Sequence, residues 1–199
     1  MSMHRVFHLF PLPRLLLILA MGLAPTAHAE AWDLAALMHA LAQHPSSHAS
    51  FVETKTLAML DAPIVSSGEL RFQAPDHLEM RTLKPKPQTL VLDGNRLSAE
   101  IDGHTHHIDL DDHPDVAVLI DSIRATLNGD LGALQREYAV SLSGDRAHWR
   151  LSLVPSDARA RARVSEIRID GRRGQVRSIA VQQADGDHSL MAIREQPAP

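Results

Sequence analysis

Apolar positions change period several times along this chain, and each change marks an element. Residues 31–43 carry Leu34, Leu37, Met38 and Leu41 at three- and four-residue spacing, the stripe of an amphipathic helix. Asp33 stands near its start, and His44-Pro45-Ser46-Ser47 ends it. From Ser50 to Leu110 the period falls to two. Phe51 and Leu57 belong to a first strand before the Asp61-Ala62-Pro63 turn, and Leu70 and Phe72 share a face of the next. Ala74-Pro75-Asp76 breaks that strand, and Leu78 and Met80 alternate in the third. Pro85 and Pro87 punctuate the link to Leu90 and Leu92, and Asp93-Gly94-Asn95 is a tight hairpin signal. Leu97, Ala99 and Ile101 follow on one face, and Asp102-Gly103 turns the chain into His106, Ile108 and Leu110.

The middle returns to helical spacing. Pro114 suits the start of a helix, Val116, Leu119, Ile120, Ile123 and Leu127 form its apolar stripe, and Asn128-Gly129 stops it. Residues 131–138 predict a second short helix through Leu131 and Leu134. Period two resumes with Val140 and Leu142, then with Trp149, Leu151 and Leu153, and then over 164–169, 176–183 and 189–193, with Gly-containing turns between. No helix-length segment separates these strands within either run, so they pair antiparallel. About ten such strands make a sheet that curls, splits or closes. The expected fold is mainly β, in the α+β class: a strongly curved antiparallel sheet, or incomplete barrel, whose concave face is capped by the helices.

The first 29 residues fall outside that fold. Arg5 and Arg14 precede the apolar run 15–24, and Pro25-Thr26-Ala27-His28-Ala29 gives a small-x-small ending. This order predicts a cleaved secretory signal peptide, 1–29, followed by a single domain, 30–199. The apolar run is too short for a membrane anchor, which needs about 20 residues. The chain has no Cys, hence neither a lipidation site nor disulfide staples. Export without a transmembrane segment in the mature chain places the protein in the periplasm, and we expect a monomer there. Loss of two Arg leaves 18 basic against 24 acidic residues, a balance of −6 that argues against nucleic acid as a partner.

Candidate chemistry is sparse. There is no Gly-x-Ser-x-Gly elbow, His-Glu-x-x-His, phosphate-binding loop or dinucleotide fingerprint. Asp111-Asp112 is an acid pair, but neighbours on a strand point to opposite faces. We therefore expect neither an enzyme nor a cofactor. His104 and His106 would project to one side of a strand, with His107 and His113 nearby, and paired imidazoles suit zinc. No acidic residue is fixed at the spacing of a zincin site, and a solvated turn and strand edge accounts for them, so no metal is expected. Arg159, Arg161 and Arg163 alternate ahead of Arg168, Arg172, Arg173 and Arg177. They read either as a basic patch for acidic head groups or as a solvated hairpin.

Several stretches, in order, carry a resemblance. Ser46-Ser47-His48-Ala49-Ser50-Phe51 leads into the first strand, and Gly68-x-Leu70-x-x-x-x-Pro75 precedes Leu78-x-Met80. Leu90-Val91-Leu92-Asp93-Gly94 follows. The chain ends with Ile167-x-Ile169, Gly174-x-Val176, Ser178-Ile179-x-Val181 and Asp185-Gly186-Asp187-His188-Ser189. Their order and spacing resemble the LolA family of periplasmic lipoprotein carriers. The resemblance implies an incomplete barrel with a helical lid over an apolar cavity that shields acyl chains on the way to the outer membrane. It also implies membrane donor and acceptor proteins as partners, with a lipoprotein or another acylated lipid as cargo. A non-shuttling envelope module that senses lipid or acts as a scaffold is the alternative. Under this reading the cavity-facing residues are Phe51, Leu70, Phe72, Leu78, Met80, Leu90, Leu92, Leu97 and Ile101, with Val116, Leu119, Ile120 and Ile123 on the lid. The family's carriers place an Arg before the Pro between the second and third strands, where it bonds to lid backbone. Ala74 occupies that position here.

Overall fold

A computed structural model describes residues 31–196; the leader expected at 1–29 lies outside them. Helix α1 (Leu34–Ala42) begins where the Asp33 carboxylate accepts the Ala36 N–H at 2.8 Å, three residues later than the apolar spacing alone suggested. Six strands follow: β1 (Ser46–Thr56), β2 (Ile64–Gln73), β3 (His77–Lys84), β4 (Gln88–Asp93), β5 (Arg96–Ile101) and β6 (His104–Asp109). A 3-10 turn (Leu110–Asp112) leads to helices α2 (Pro114–Asn128) and α3 (Leu131–Glu137). Then come β7 (Tyr138–Gly144), β8 (Trp149–Pro155), the short helix α4 (Ala158–Arg161), β9 (Val164–Arg172), β10 (Gln175–Gln183) and β11 (His188–Glu195).

All eleven strands lie in one curved, unclosed antiparallel sheet ordered β6-β5-β4-β3-β2-β1-β11-β10-β9-β8-β7. Every pair is a sequential neighbour except β1 and β11, where the two runs of strands are joined with Phe51 opposite Ile193 and Glu53 opposite Met191. The free edges are β6 and β7, and the segment between them in sequence contains α2 and α3. The helices therefore start from one edge of the sheet and return to the other.

The buried core occupies one half of this sheet. Leu37, Met38 and Leu41 of α1 and Leu134 of α3 pack on Tyr138, Trp149, Leu151, Leu153, Val164, Ile167 and Ile169. Trp149 donates its indole N–H to the Arg173 carbonyl at 2.7 Å. Its ring lies over Gly171, where an added Cβ would come within 2.1 Å of it. At Gly129 the chain leaves α2 in the left-handed region, φ +68°, so tightly against α1 that a Cβ would meet the Met38 carbonyl oxygen at 2.2 Å.

Two sequence expectations fail locally. Asp111 and Asp112 are exposed on the 3-10 turn rather than on a strand, because the Asp109 carboxylate accepts the Asp111 N–H at 3.1 Å and bends the chain there. The alternation Arg159, Arg161, Arg163 is helix α4 and its exit. Asp157 caps that helix by accepting the Arg159 and Ala160 N–H groups, and these bonds hold its carboxyl below the usual range. Several arginines on this side of the sheet are engaged locally. Arg150 pairs bidentately with Asp170, Arg168 pairs with Glu166 at 3.6 Å, and Arg161 donates to the Pro155 and Ser156 carbonyls.

Candidate functional site

The other half of the concave face is not filled. Between α2 and strands β2–β5, extending across to β10 and β11, lies a hollow of about 440 Å³. Alternation along the strands aims Leu70, Phe72, Leu78, Met80, Leu90, Leu92 and Leu97 into it. The helical spacing of α2 brings Val116, Leu119, Ile120, Ile123 and Leu127 down from above. Val176, Ile179, Val181, Met191 and Ile193 close the remaining wall. The walls are mostly hydrocarbon, with Glu53, Arg71, Glu79, Gln175 and Glu195 among the few polar residues that border them, so an alkyl chain gains by leaving water and a polar head group can be met by these polar residues. The size is that of sites enclosing ligands of a few tens of heavy atoms, roughly 300–1,000 Å³.

Eleven of the thirteen positions expected from sequence border the hollow. Phe51 and Ile101 do not. Phe51 is fully buried, but its ring packs down on Gly68, its partner across the β1–β2 ladder. There an added Cβ would come within 2.9 Å of the ring and 1.9 Å of the Arg81 carbonyl oxygen. It therefore belongs to the floor of the sheet. A glycine inside a strand is the sign of such close approach. Ile101 ends β5 beside the Asp102-Gly103 turn, pairs with Gln88 and His104, and is 42 % exposed. It lies past the reach of the lid. Sequence reasoning missed the β10 and β11 wall. Its alternation was visible, but only the β1–β11 pairing brings it within one strand of β2.

Three side-chain bonds tie α2 to the sheet. Arg124 donates to the Gly94 carbonyl in the β4–β5 turn at 2.8 Å and pairs with Asp121 on its own helix. Asn128 donates to the Pro75 carbonyl in the β2–β3 turn at 2.6 Å. The Tyr138 hydroxyl donates to the Val118 carbonyl from the β7 edge, and burial pushes its pKa up to about 12. Asn128 of α2 thus supplies a donor to the turn where Ala74 stands. Within the helix, the buried hydroxyls of Ser122 and Thr126 are satisfied by the Leu119 and Ser122 carbonyls, each at 2.7 Å.

A second hollow of similar size lies beyond α2, between it, α3 and the β2–β3 turn. Asp76, Asp121, Arg124, Asp130, Arg136 and Glu137 line it, and that density of charge suits water rather than hydrocarbon. His104, His106 and His107 are all exposed, and among the described residues no group of His, Asp or Glu is arranged to hold a metal ion. None of the described helices is long and apolar enough to cross a membrane.

Residues 26–194 match the family model described as outer membrane lipoprotein carrier protein LolA-like. The chain belongs to this LolA-like family. Solved structures resembling this LolA-like chain include a LolA superfamily protein from Nitrosomonas europaea. It is 10 % identical, with a TM-score of 0.43, over 85 % of this chain and 96 % of that one. A putative outer membrane lipoprotein-sorting protein domain from Vibrio parahaemolyticus is 8 % identical, with a TM-score of 0.45, over 83 % and 92 %. MucB, solved in complex with MucA(peri), is 17 % identical, with a TM-score of 0.43, over 83 % of this LolA-like chain and 55 % of its own. A comparison with curated proteins finds no sequence match.

Proposed function

We propose that the protein is a periplasmic carrier that takes acyl chains into the hollow beneath α2 and shuttles acylated molecules, lipoproteins among them, towards the outer membrane. The observation that carries this reading is the void itself: about 440 Å³ faced mainly by Leu, Ile, Val, Met and Phe, on a fold whose other half holds the buried core. Each methylene hidden from water is worth about 0.8 kcal/mol, so a chain of some 15 methylenes costs roughly 12 kcal/mol to expose. A cavity of this kind offsets that cost during transit. Release then requires α2 to move, and its bonds to Gly94, Pro75 and Tyr138 are the ones to break. Each is worth on the order of 1 kcal/mol, small enough for a membrane or protein partner to displace.

The cargo-handling groups are apolar, and the role is binding rather than catalysis. The cavity walls named above would contact the acyl chain, with residues 1–29 serving as the export signal. Native mass spectrometry of protein isolated from the cell envelope should show co-purifying lipid, and a titration with a fluorescent fatty acid should saturate at low stoichiometry. A bare protein mass together with no uptake in the titration refutes the reading. Transfer of cargo between two vesicle populations then separates a shuttle from a module that only senses lipid, because the latter binds without moving it.

A further inference from the structure

The convex side carries an exposed apolar strip that the hollow does not explain. It begins at the β1–β2 loop, where Met59 is 86 % exposed and Leu60 stands beside it. It continues through Val65 on β2, Val52 on β1 and Leu190 on β11, all roughly half exposed, whereas Ile64 pairs with Lys55 and points to the other face of the sheet. The ladder makes these one surface. Thr54 faces both Val65 and Leu190, and Val52 lies two residues along the same strand. Five of the large apolar side chains that the described residues expose, Met59, Leu60, Val65, Val52 and Leu190, are gathered here. Soluble proteins rarely expose apolar groups contiguously without a use for them.

The tip is held in place. The Leu60 N–H donates to the Leu57 carbonyl at 2.9 Å, and the Ala58 N–H donates to the Asp187 carboxylate in the β10–β11 turn at 2.7 Å. Met59 is thus presented by a fixed turn. Charge selects the occupant. The whole chain has three lysines, Lys55, Lys84 and Lys86, and all lie around this loop. Lys55 pairs with Ile64 across the β1–β2 ladder, and Lys84 sits opposite Ser67 at the start of the neighbouring β3–β4 link that contains Lys86. Asp61 follows Leu60, and Asp185 and Asp187 lie in the adjoining β10–β11 turn, so the cations flank the wedge on its β1 and β3 sides. An apolar wedge with all of the chain's lysines along one flank matches a bilayer surface that carries anionic phospholipid.

We infer that the β1–β2 loop is a membrane-docking element, which seats Met59 and Leu60 among acyl chains while Lys55, Lys84 and Lys86 meet phosphate head groups. The antiparallel order puts this loop at the opposite end of β2 from the Pro75 turn that holds the lid. Docking therefore leaves the lid bonds uncovered. The inference rests on surface residues and stands apart from the cargo reading.

Co-sedimentation of protein lacking residues 1–29 with vesicles of phosphatidylcholine and phosphatidylglycerol in equal parts, and of phosphatidylcholine alone, tests it. Binding should require phosphatidylglycerol and weaken with salt. Met59→Asp/Leu60→Asp should lower partitioning at least tenfold, and Lys84→Glu/Lys86→Glu by about fivefold or more per lysine. Both variants alter exposed positions and should take up a soluble fluorescent fatty acid as the wild type does. Equal partitioning of wild type and Met59→Asp/Leu60→Asp overturns the inference, as does indifference to phosphatidylglycerol. So does a finding that the strip mediates only concentration-dependent self-association without vesicles. Failed docking with intact fatty-acid uptake counts against docking alone, whereas failed uptake with intact docking counts against the carrier reading alone.

Discussion

Strands β7–β9 and strands β2–β5 present the same kind of inner face, yet one half of the sheet is solid and the other hollow. Over β7–β9, α1 and α3 lower Leu37, Met38, Leu41 and Leu134 onto a face that already carries Trp149 and Tyr138, and these side chains bury one another. Over β2–β5, α2 alone spans the surface, and its Val116, Leu119, Ile120 and Ile123 stop short of the leucines below. The difference lies in how much side chain arrives from above. A half that needs no ligand can fix the fold, which leaves the other half free to stay vacant.

Leucine truncation tests that contrast most strongly. Leu151→Ala in the solid half removes a side chain with no exposed surface and opens a new cavity, so chemical denaturation should register a loss of about 3–5 kcal/mol. Leu90→Ala only widens an existing void and should cost about 1 kcal/mol. Equal costs would mean the hollow half is as tightly packed as the other. Next in size is filling the void. Leu119→Trp should weaken fatty-acid binding by tenfold or more while leaving the unfolding midpoint unchanged or higher. Loosening the lid has a smaller effect. Arg124→Ala loses the bond to Gly94 and should speed release of a bound fluorescent acyl probe roughly three- to tenfold in stopped-flow measurements. Ala74→Arg offers a donor beside the Pro75 turn and should alter the same rate; an unchanged rate would assign gating to the bonds made by α2.

Tyr138 gives the smallest effect and a pH signature. Its folded pKa of about 12 lies above the value of about 10 for an unfolded chain, because burial disfavours the phenolate. The stability tied to its neutral hydroxyl is therefore complete below pH 10 and disappears as pH rises from 10 towards 12. Tyr138→Phe should cost about 1 kcal/mol at neutral pH, by losing the hydroxyl's bond to the Val118 carbonyl, and should flatten that alkaline slope in urea titrations.

Much of the architecture was legible before any coordinates. The 3.6-residue spacing of Val116, Leu119, Ile120, Ile123 and Leu127 selects one face of one helix, and strict alternation in β2–β5 selects one face of a sheet. What alternation cannot say is whether that face meets another side chain or empty space, since Leu90 and Leu151 obey the same rule. The wall built by Ile179 and Met191 depends on a pairing between the first and last strands, which no local pattern encodes. Helix α4 escaped notice because four residues are too few to show a helical period, and its alternating arginines imitated a strand.

The void has a further consequence for how the molecule responds to heat. A fold that leaves part of its interior vacant hands some of its melting temperature to whatever occupies it. Free ligand at a hundred times its dissociation constant adds about 2.7 kcal/mol to the native state. For a domain of this length that amounts to a rise of about 5–10 °C. Loaded and empty molecules would then melt as two separable populations, so a simple thermal scan of freshly isolated protein would report what fraction held a ligand.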